Sequence, residues 1–403
     1  IKDKISIFLL FISLGLIVLL QLNSTPSFKT PPSSYKYKVE KKASEVMSQL
    51  PLYALSACLI DKNTGRILYS KDADKQLPMA STTKIMTCII ALENGNLDDT
   101  VTFSSYAAGM PDVQLNARSG DQFSLKDLLY SLMLESHNDT SVAIAEQIGG
   151  SVQNFAALMN KKAKELGCTN TNFVTPNGLD ANEHYTTAYE LCKIAGYALE
   201  NETFKDIIIT SSHTFKEIKS GKTYTVNNKD AFLKSYSGSI GIKTGFTGKA
   251  GYCFVGAIKR DEGILISAVL GSGWPPNKSF KWRDTTRLMD FGKANYTINN
   301  LTLSSYPGEK ITVLDGKKDS TFITSPDKIQ SLYSKFDAME VHYSYPKTLY
   351  APISAQTVVG NADYYVNGIK VGSCRLYPEE NIENQGFGGF FHKIFRYFLF
   401  EIN

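Results

Sequence analysis

Strand-patterned sequence stands at both ends of the region from Ala54 to Leu270, and helix-patterned sequence fills the interval between them. At the first end, Ala54 to Asp61, the turn Asn63-Thr64-Gly65 and Arg66 to Ser70 read as a hairpin. At the other, Ile240 to Phe246, Tyr252 to Lys259 and Ile264 to Leu270 read as strands, the last two joined at Arg260-Asp261-Glu262-Gly263. The interval carries helical periods. Ser81 to Glu93 is apolar at Ile85, Ile89, Ile90 and Leu92. Ser124 caps Leu125 to Leu134, with Asp127 at the third helical position. Thr140 to Ile148 and Val152 to Leu166 follow, and Thr187 with Glu190 forms a capping box for a helix ending near Glu200. Lys281 to Ala294 is a closing helix. The economical solution is one antiparallel sheet made by the two ends with a helical lobe beside it, an α+β fold.

The 403 residues leave room for more than this domain. Residues 297–380 are rich in Val, Ile, Thr, Tyr, Gly and Pro, with alternation from Ala362 to Val366 and a turn at Asn367-Gly368. They read as a small C-terminal β-domain. The catalytic candidate region is then 45–296, preceded by a Ser-, Pro-, Thr- and Lys-rich tether over 23–44. Residues 1–22 place Lys2 and Lys4 before an apolar run from Ile5 to Leu20, the pattern of an export signal or of an N-terminal membrane anchor. Over 386–403, Phe390, Phe391, Ile394, Phe395, Phe398, Leu399 and Ile402 form an apolar stripe with Lys393 and Arg396 off it. That tail either lies in a membrane interface or packs on the β-domain. A net charge of +4 with scattered basic residues argues against nucleic acid as a partner. The six cysteines have no Cys-x-x-Cys spacing, which excludes a zinc ribbon, and Cys58, Cys88 and Cys253 sit in apolar runs as small buried thiols do.

Three short segments carry chemistry. Ser81-Thr82-Thr83-Lys84 puts a hydroxyl and an amine one helical turn apart. A serine needs a neighbouring base to become a nucleophile, and a lysine serves if its surroundings lower its pKa. The spacing alone is weak evidence, since it recurs at Ser325 and Ser344. Ser136-His137-Asn138 lies between two helices, where it reads either as a helix break with a new cap or as a proton relay and a substrate contact. Lys243-Thr244-Gly245 ends a strand and precedes Phe246. Lys243 offers a charge for a carboxylate, Thr244 a hydrogen bond, and Gly245 room for a substrate to lie along the strand edge. The trio, in this order and in these contexts, matches the motif set of serine enzymes that react with β-lactams.

The chain resembles the D-alanyl-D-alanine carboxypeptidase family of low-molecular-mass penicillin-binding proteins over about residues 50–380. Asp61-Lys62-Asn63-Thr64-Gly65, Pro78-Met79-Ala80-Ser81, Ser136 to Thr140, Phe173 to Asp180 and Thr186-Thr187-Ala188 are similar to family segments. The resemblance implies a β-lactamase/transpeptidase-like catalytic domain, a β-rich C-terminal domain and a membrane-associated tail. It implies Ser81 as the acylated nucleophile, Lys84 as proton acceptor and Ser136 as relay. Asn138, Lys243, Thr244, Gly245 and Phe246 would bind substrate, with the backbone N–H groups of Ser81 and Phe246 as an oxyanion hole, and Arg283 would help hold the carboxylate. The implied partners are the peptidoglycan stem peptide, β-lactam antibiotics as inhibitors and a membrane surface, at the outer face of the bacterial cytoplasmic membrane. No metal or cofactor is implied, and no His-Glu-x-x-His occurs. His137 stands where the family usually has Gly and is expected to be an exposed loop residue. The rival readings are a D,D-endopeptidase, a β-lactamase and a non-catalytic wall-binding protein. The stretch Thr175 to Gly178 lacks the glutamate that a class A β-lactamase uses for deacylation.

Overall fold

The computed structural model describes residues 35–42, 49–111, 113–301 and 310–386. The chain divides into two units. Of the described residues, the larger holds those of 44–299 with 330–337, and the smaller holds those of 300–329 and 338–386 together with the strand Tyr35–Lys42.

In the larger unit the two ends of the sequence do meet. The five strands lie in the order Ile67–Lys71, Ser56–Asp61, Gly263–Leu270, Gly251–Arg260, Ser239–Thr247. All pairings are antiparallel, and the join between the ends runs from Leu265 opposite Asp61 to Leu270 opposite Ser56. The strand Ser56–Asp61 is buried at every position because both of its faces are covered. Cys58 and Ile60 pack with the helical lobe, and Ala57 and Leu59 pack with Leu288 and Met289 of the helix Phe280–Asn295. The sheet is thus the middle of three layers, and its edge strand Ser239–Thr247 closes one side.

The lobe's helices begin where capping chemistry places them. Ser124 Oγ accepts from Asp127 N, and Thr187 Oγ1 accepts from Glu190 N at 3.1 Å. Two interior boundaries differ from the sequence reading. Ser81 sits in a 3₁₀ turn, Ala80–Thr83, and the α-helix starts only at Lys84. The expected helix Leu125 to Leu134 is α-helical to Tyr130 and then widens into a π-turn over Ser131–Glu135. Such widenings cluster at functional sites.

The expected boundary at residue 297 lies close to the division of the two units after residue 299. Residues 330–337 belong to the larger unit, where buried Asp337 pairs with buried Arg66 at 2.6 Å and Arg66 also donates to the Leu332 carbonyl. A guanidinium out of water needs such partners. The smaller unit is β-rich. Its main sheet runs Tyr35–Lys42, Met339–Pro346, Gly360–Val366, Ile369–Pro378, Ile323–Thr324. Asn367 and Gly368, with φ of 49° and 79°, make the tight turn between two of these strands. Tyr35–Lys42 was expected within the tether and is instead a strand, paired from Tyr35 opposite Pro346 to Lys42 opposite Met339. Its alternation of Tyr35, Tyr37 and Val39 with Lys36, Lys38 and Glu40 has the period of two that a strand requires. The N-terminal segment 1–22 and all of the tail beyond Gly386 lie outside the described residues.

Candidate active site

The centre is built on the 3₁₀ turn. In that geometry residues i and i+3 eclipse, and Lys84 Nζ lies 3.0 Å from Ser81 Oγ. Lys84 is fully buried, and its Nζ donates to Asn138 Oδ1 at 2.8 Å and to the Asn177 carbonyl at 2.6 Å. Burial pushes its pKa well below the ordinary lysine value, the charge of Lys243 pushes the same way, and Asp139 opposes both. Its partners Ser81 Oγ, Asn138 Oδ1 and the Asn177 carbonyl are all neutral, so none of them holds the proton on.

The second segment reaches the centre through the π-turn. Ser136 ends that turn with φ of 72°, a left-handed conformation rare for a side-chain-bearing residue. Its Oγ is buried without a hydrogen bond among the described residues. Asn138 opens the helix Asn138–Gly149, and its Nδ2 donates to the Pro111 carbonyl at 3.0 Å while its Oδ1 receives Lys84. Asp139 accepts the backbone N–H groups of Leu115 and Asn116 at 3.0 and 3.1 Å, tying the neighbouring loop down. His137 is not the exposed residue expected. It is buried, with Nδ1 2.8 Å from Ser131 Oγ and Nε2 3.3 Å from a Glu135 oxygen, and burial holds its pKa below the usual imidazole value.

The third segment is the edge strand. Gly245 packs so closely on the turn that a Cβ there would lie 2.9 Å from Ser81 N and 3.1 Å from Thr82 N, so any side chain would part the two elements. Tyr252, opposite Phe246, donates its N–H to Gly273 O and accepts from Ser272 N on its far side. Phe246 and Tyr252 are therefore a non-hydrogen-bonded antiparallel pair, and the Phe246 N–H points off the edge of the sheet. By the same alternation the Thr244 backbone groups face outward too. Lys243 is buried, and its pKa is drawn down to about 7 by burial and then by the charge of Lys281, against the pull of Asp230.

Arg283 is not part of this group. It is exposed, lying over the rings of Tyr53 and Phe280 at 5.1 and 5.6 Å. Lys281, two residues earlier on the same helix, is the cation that faces Lys243. It is buried beside the Tyr252 and Trp282 rings, with its pKa lowered to about 8, first by burial. Two positions along a helix turn a side chain to nearly the opposite face, so a small error of register exchanges inside for outside.

The loop Phe173 to Asp180 also reaches the centre. Asn177 supplies its carbonyl to Lys84, and a Cβ on Gly178 would lie 2.0 Å from the Ala80 carbonyl oxygen. Asp180 then accepts from Thr247 Oγ1 at 2.8 Å, so the loop bridges the turn and the edge strand. Sequence reading gave Asn177 no role, because a backbone carbonyl has no residue-type signature.

Comparison with known proteins places these features. A family model described as D-alanyl-D-alanine carboxypeptidase matches residues 42–273, and one described as penicillin-binding protein 5, C-terminal domain, matches residues 296–384. The chain is 31% identical over 364 residues to the D-alanyl-D-alanine carboxypeptidase DacF of Bacillus subtilis, covering 88% of this chain and 92% of that protein. It is 36% identical over 257 residues to the D-alanyl-D-alanine carboxypeptidase of Streptomyces sp. K15, covering 60% of this chain and 87% of that protein. Among solved structures, penicillin-binding protein 5 from Haemophilus influenzae superposes with a TM-score of 0.63 at 26% identity, covering 84% of this chain and 100% of that one. The Streptomyces K15 DD-transpeptidase gives 0.58 at 34%, covering 62% of this chain and 100% of that one.

Proposed function

The chain belongs to the D-alanyl-D-alanine carboxypeptidase family of serine peptidases, and from that premise we propose that it removes the terminal D-alanine of peptidoglycan stem pentapeptides through an acyl-enzyme on Ser81. The observation that carries the reading is the set of partners around Lys84. A neutral amine has two N–H donors and one lone pair. Asn138 Oδ1 and the Asn177 carbonyl take the two donors, which leaves the lone pair for the Ser81 hydroxyl 3.0 Å away.

The steps follow. Ser81 Oγ attacks the carbonyl carbon of the D-Ala–D-Ala bond and its proton passes to Lys84. Negative charge gathers on the carbonyl oxygen, where the Ser81 and Phe246 N–H groups donate; one such donor is typically worth about 3 kcal/mol of barrier. The C–N bond breaks, the leaving amine takes a proton relayed through the unpartnered Ser136 hydroxyl, and D-alanine departs. Water then adds to the acyl carbon, frees the shortened peptide and returns the hydroxyl. The terminal carboxylate lies against Thr244, Lys243 and Lys281, with Lys281 taking the part first assigned to Arg283. Its negative charge would favour the protonated form of Lys243, whose pKa stands near 7 in the free enzyme. The peptide itself runs along the outward-facing edge at Thr244 and Phe246 as an added strand.

β-Lactams would acylate the same serine. The β-lactamase reading is disfavoured because the position beside Ser81 and Lys84 is filled by the Asn177 carbonyl rather than by a carboxylate. The apolar segment 5–20 and the striped tail support work at the outer face of the cytoplasmic membrane, with attachment at one or both ends. Deleting 386–403 together with 1–22 should give active enzyme in the soluble fraction, and continued membrane association would count against attachment. D-Alanine release from a stem pentapeptide, with Ser81→Ala as control, tests the activity. Release without Ser81, or none with it, would end the proposal.

A further inference from the structure

His184 lies outside the groups just assigned, yet its bonds lead directly to them. It is buried at 5% exposure, under the loop that carries Asn177. Nδ1 accepts the backbone N–H of Val174 at 2.9 Å and faces that of Thr175 at 3.5 Å. A backbone N–H can only donate, so Nδ1 carries no proton, and in the neutral ring the hydrogen sits on Nε2. That Nε2–H donates to Thr83 Oγ1 at 2.9 Å, and the Thr83 hydroxyl in turn donates to the Ala80 carbonyl at 2.8 Å. The chain of donors runs from the loop, through one imidazole, into the 3₁₀ turn that holds Ser81. Every donor and acceptor along it has one assignment.

We propose that His184 is a positioning residue: it clamps the 174–178 loop onto the Ser81 turn, so that the Asn177 carbonyl holds the Lys84 amine with its lone pair toward Ser81. The inference rests on the acyl-enzyme reading. Thr87 Oγ1 donates to the Pro176 carbonyl at 2.6 Å and is a second pin between the same loop and the Lys84–Asn94 helix. Gly178 seats against Ala80 without room for a Cβ. The loop is therefore held along its length, and the His184 ring joins the loop backbone at Val174 to the Thr83 side chain of the turn. Only the neutral ring can do this, and burial lowers its pKa to about 4 against the opposing charge of Asp180. If the clamp loosens, Lys84 keeps Asn138 but loses its second acceptor, and its lone pair is no longer fixed.

The test is the acylation of the full chain by a fluorescent penicillin, with the binding constant resolved from the acylation rate constant. His184→Ala should lower the rate constant about 30-fold or more and leave the binding constant within about threefold, because lost orientation affects the reacting groups and not the substrate pocket. His184→Asn places an amide oxygen near the Nδ1 position and should recover most of the rate. Thr83→Val removes the other end of the chain, and its effect should not add to that of His184→Ala. Wild-type rate constants in both His184→Ala and Thr83→Val would overturn the proposal. So would a loss in His184→Ala that is additive with that of Thr83→Val. If His184→Ala does not fold, His184→Asn with Thr83→Val decides the same question. Labelling of Ser81→Ala at the wild-type level would instead overturn the acyl-enzyme reading, which separates the two failures.

Discussion

Arg66 and Lys84 are both withdrawn from water in the same unit, at 1% and 0% exposure, and the fold deals with them in opposite ways. Arg66 has a carboxylate at 2.6 Å and a carbonyl beside it. Its charge stays, because a guanidinium keeps its proton in proteins. Lys84 is given an amide oxygen, a carbonyl and a hydroxyl, all of them neutral. An amine can release its proton, and burial pushes it to do so. Arg66, with an anion in contact, is a staple, and Lys84, with neutral acceptors alone, fits the base of the proposed reaction. The contrast separates what holds this unit together from what it does.

The largest expected effect breaks the second half of that contrast. Lys84→Arg places a group that cannot deprotonate at the base position, and penicillin acylation should fall about 10³-fold or more, measured as a second-order rate constant. Retained acylation would mean that the base lies elsewhere. Asp337→Ala attacks the first half. It strands a buried charge and should lower stability by about 3–5 kcal/mol in a denaturant titration, while the acylation rate below the melting range stays unchanged. A change of rate with little loss of stability would reverse the two roles.

Another buried base of the fold is His184, with a folded pKa near 4 against an ordinary 6.5. Between these values the unfolded chain takes up a proton that the folded one refuses, so stability falls as pH drops. The contribution is complete above pH 6.5 and should be lost down to pH 4, on the order of 3 kcal/mol. His184→Asn should show a shallower acid loss over that window by chemical denaturation. Finally, Lys281→Met should raise KM for a pentapeptide about tenfold with kcat little changed, whereas Arg283→Met should leave both alone. Equal effects from the two would restore Arg283 to the site.

The sequence carried the residue types of this centre further than their placement. Ser81, Lys84, Asn138 and Lys243 stand out in the sequence because the proposed chemistry requires particular side chains at fixed spacings. The sheet built from both ends follows from where the period changes, and the starts at Ser124 and Thr187 follow from side-chain capping. What was not readable acts through backbone or register. Asn177 contributes a carbonyl that any residue owns. Lys281 and Arg283 differ by two helical positions, which motif matching does not resolve. His137 is buried because the π-turn brings Ser131 and Glu135 to its ring, and one-dimensional periodicity does not show that widening. Tyr35–Lys42 alternates like a strand but stands beside Ser- and Pro-rich sequence, and its partner Met339–Pro346 is remote in the chain.

The most direct test of the account is the titration of the Lys84 ε-amine itself, followed by NMR of labelled lysine side chains. Lys84→Arg, Lys243→Arg and Lys281→Arg variants would assign the three buried signals. The Lys84 signal should titrate with its midpoint well below the ordinary 10.5. A signal that remains that of an ammonium up to pH 10 would contradict the account.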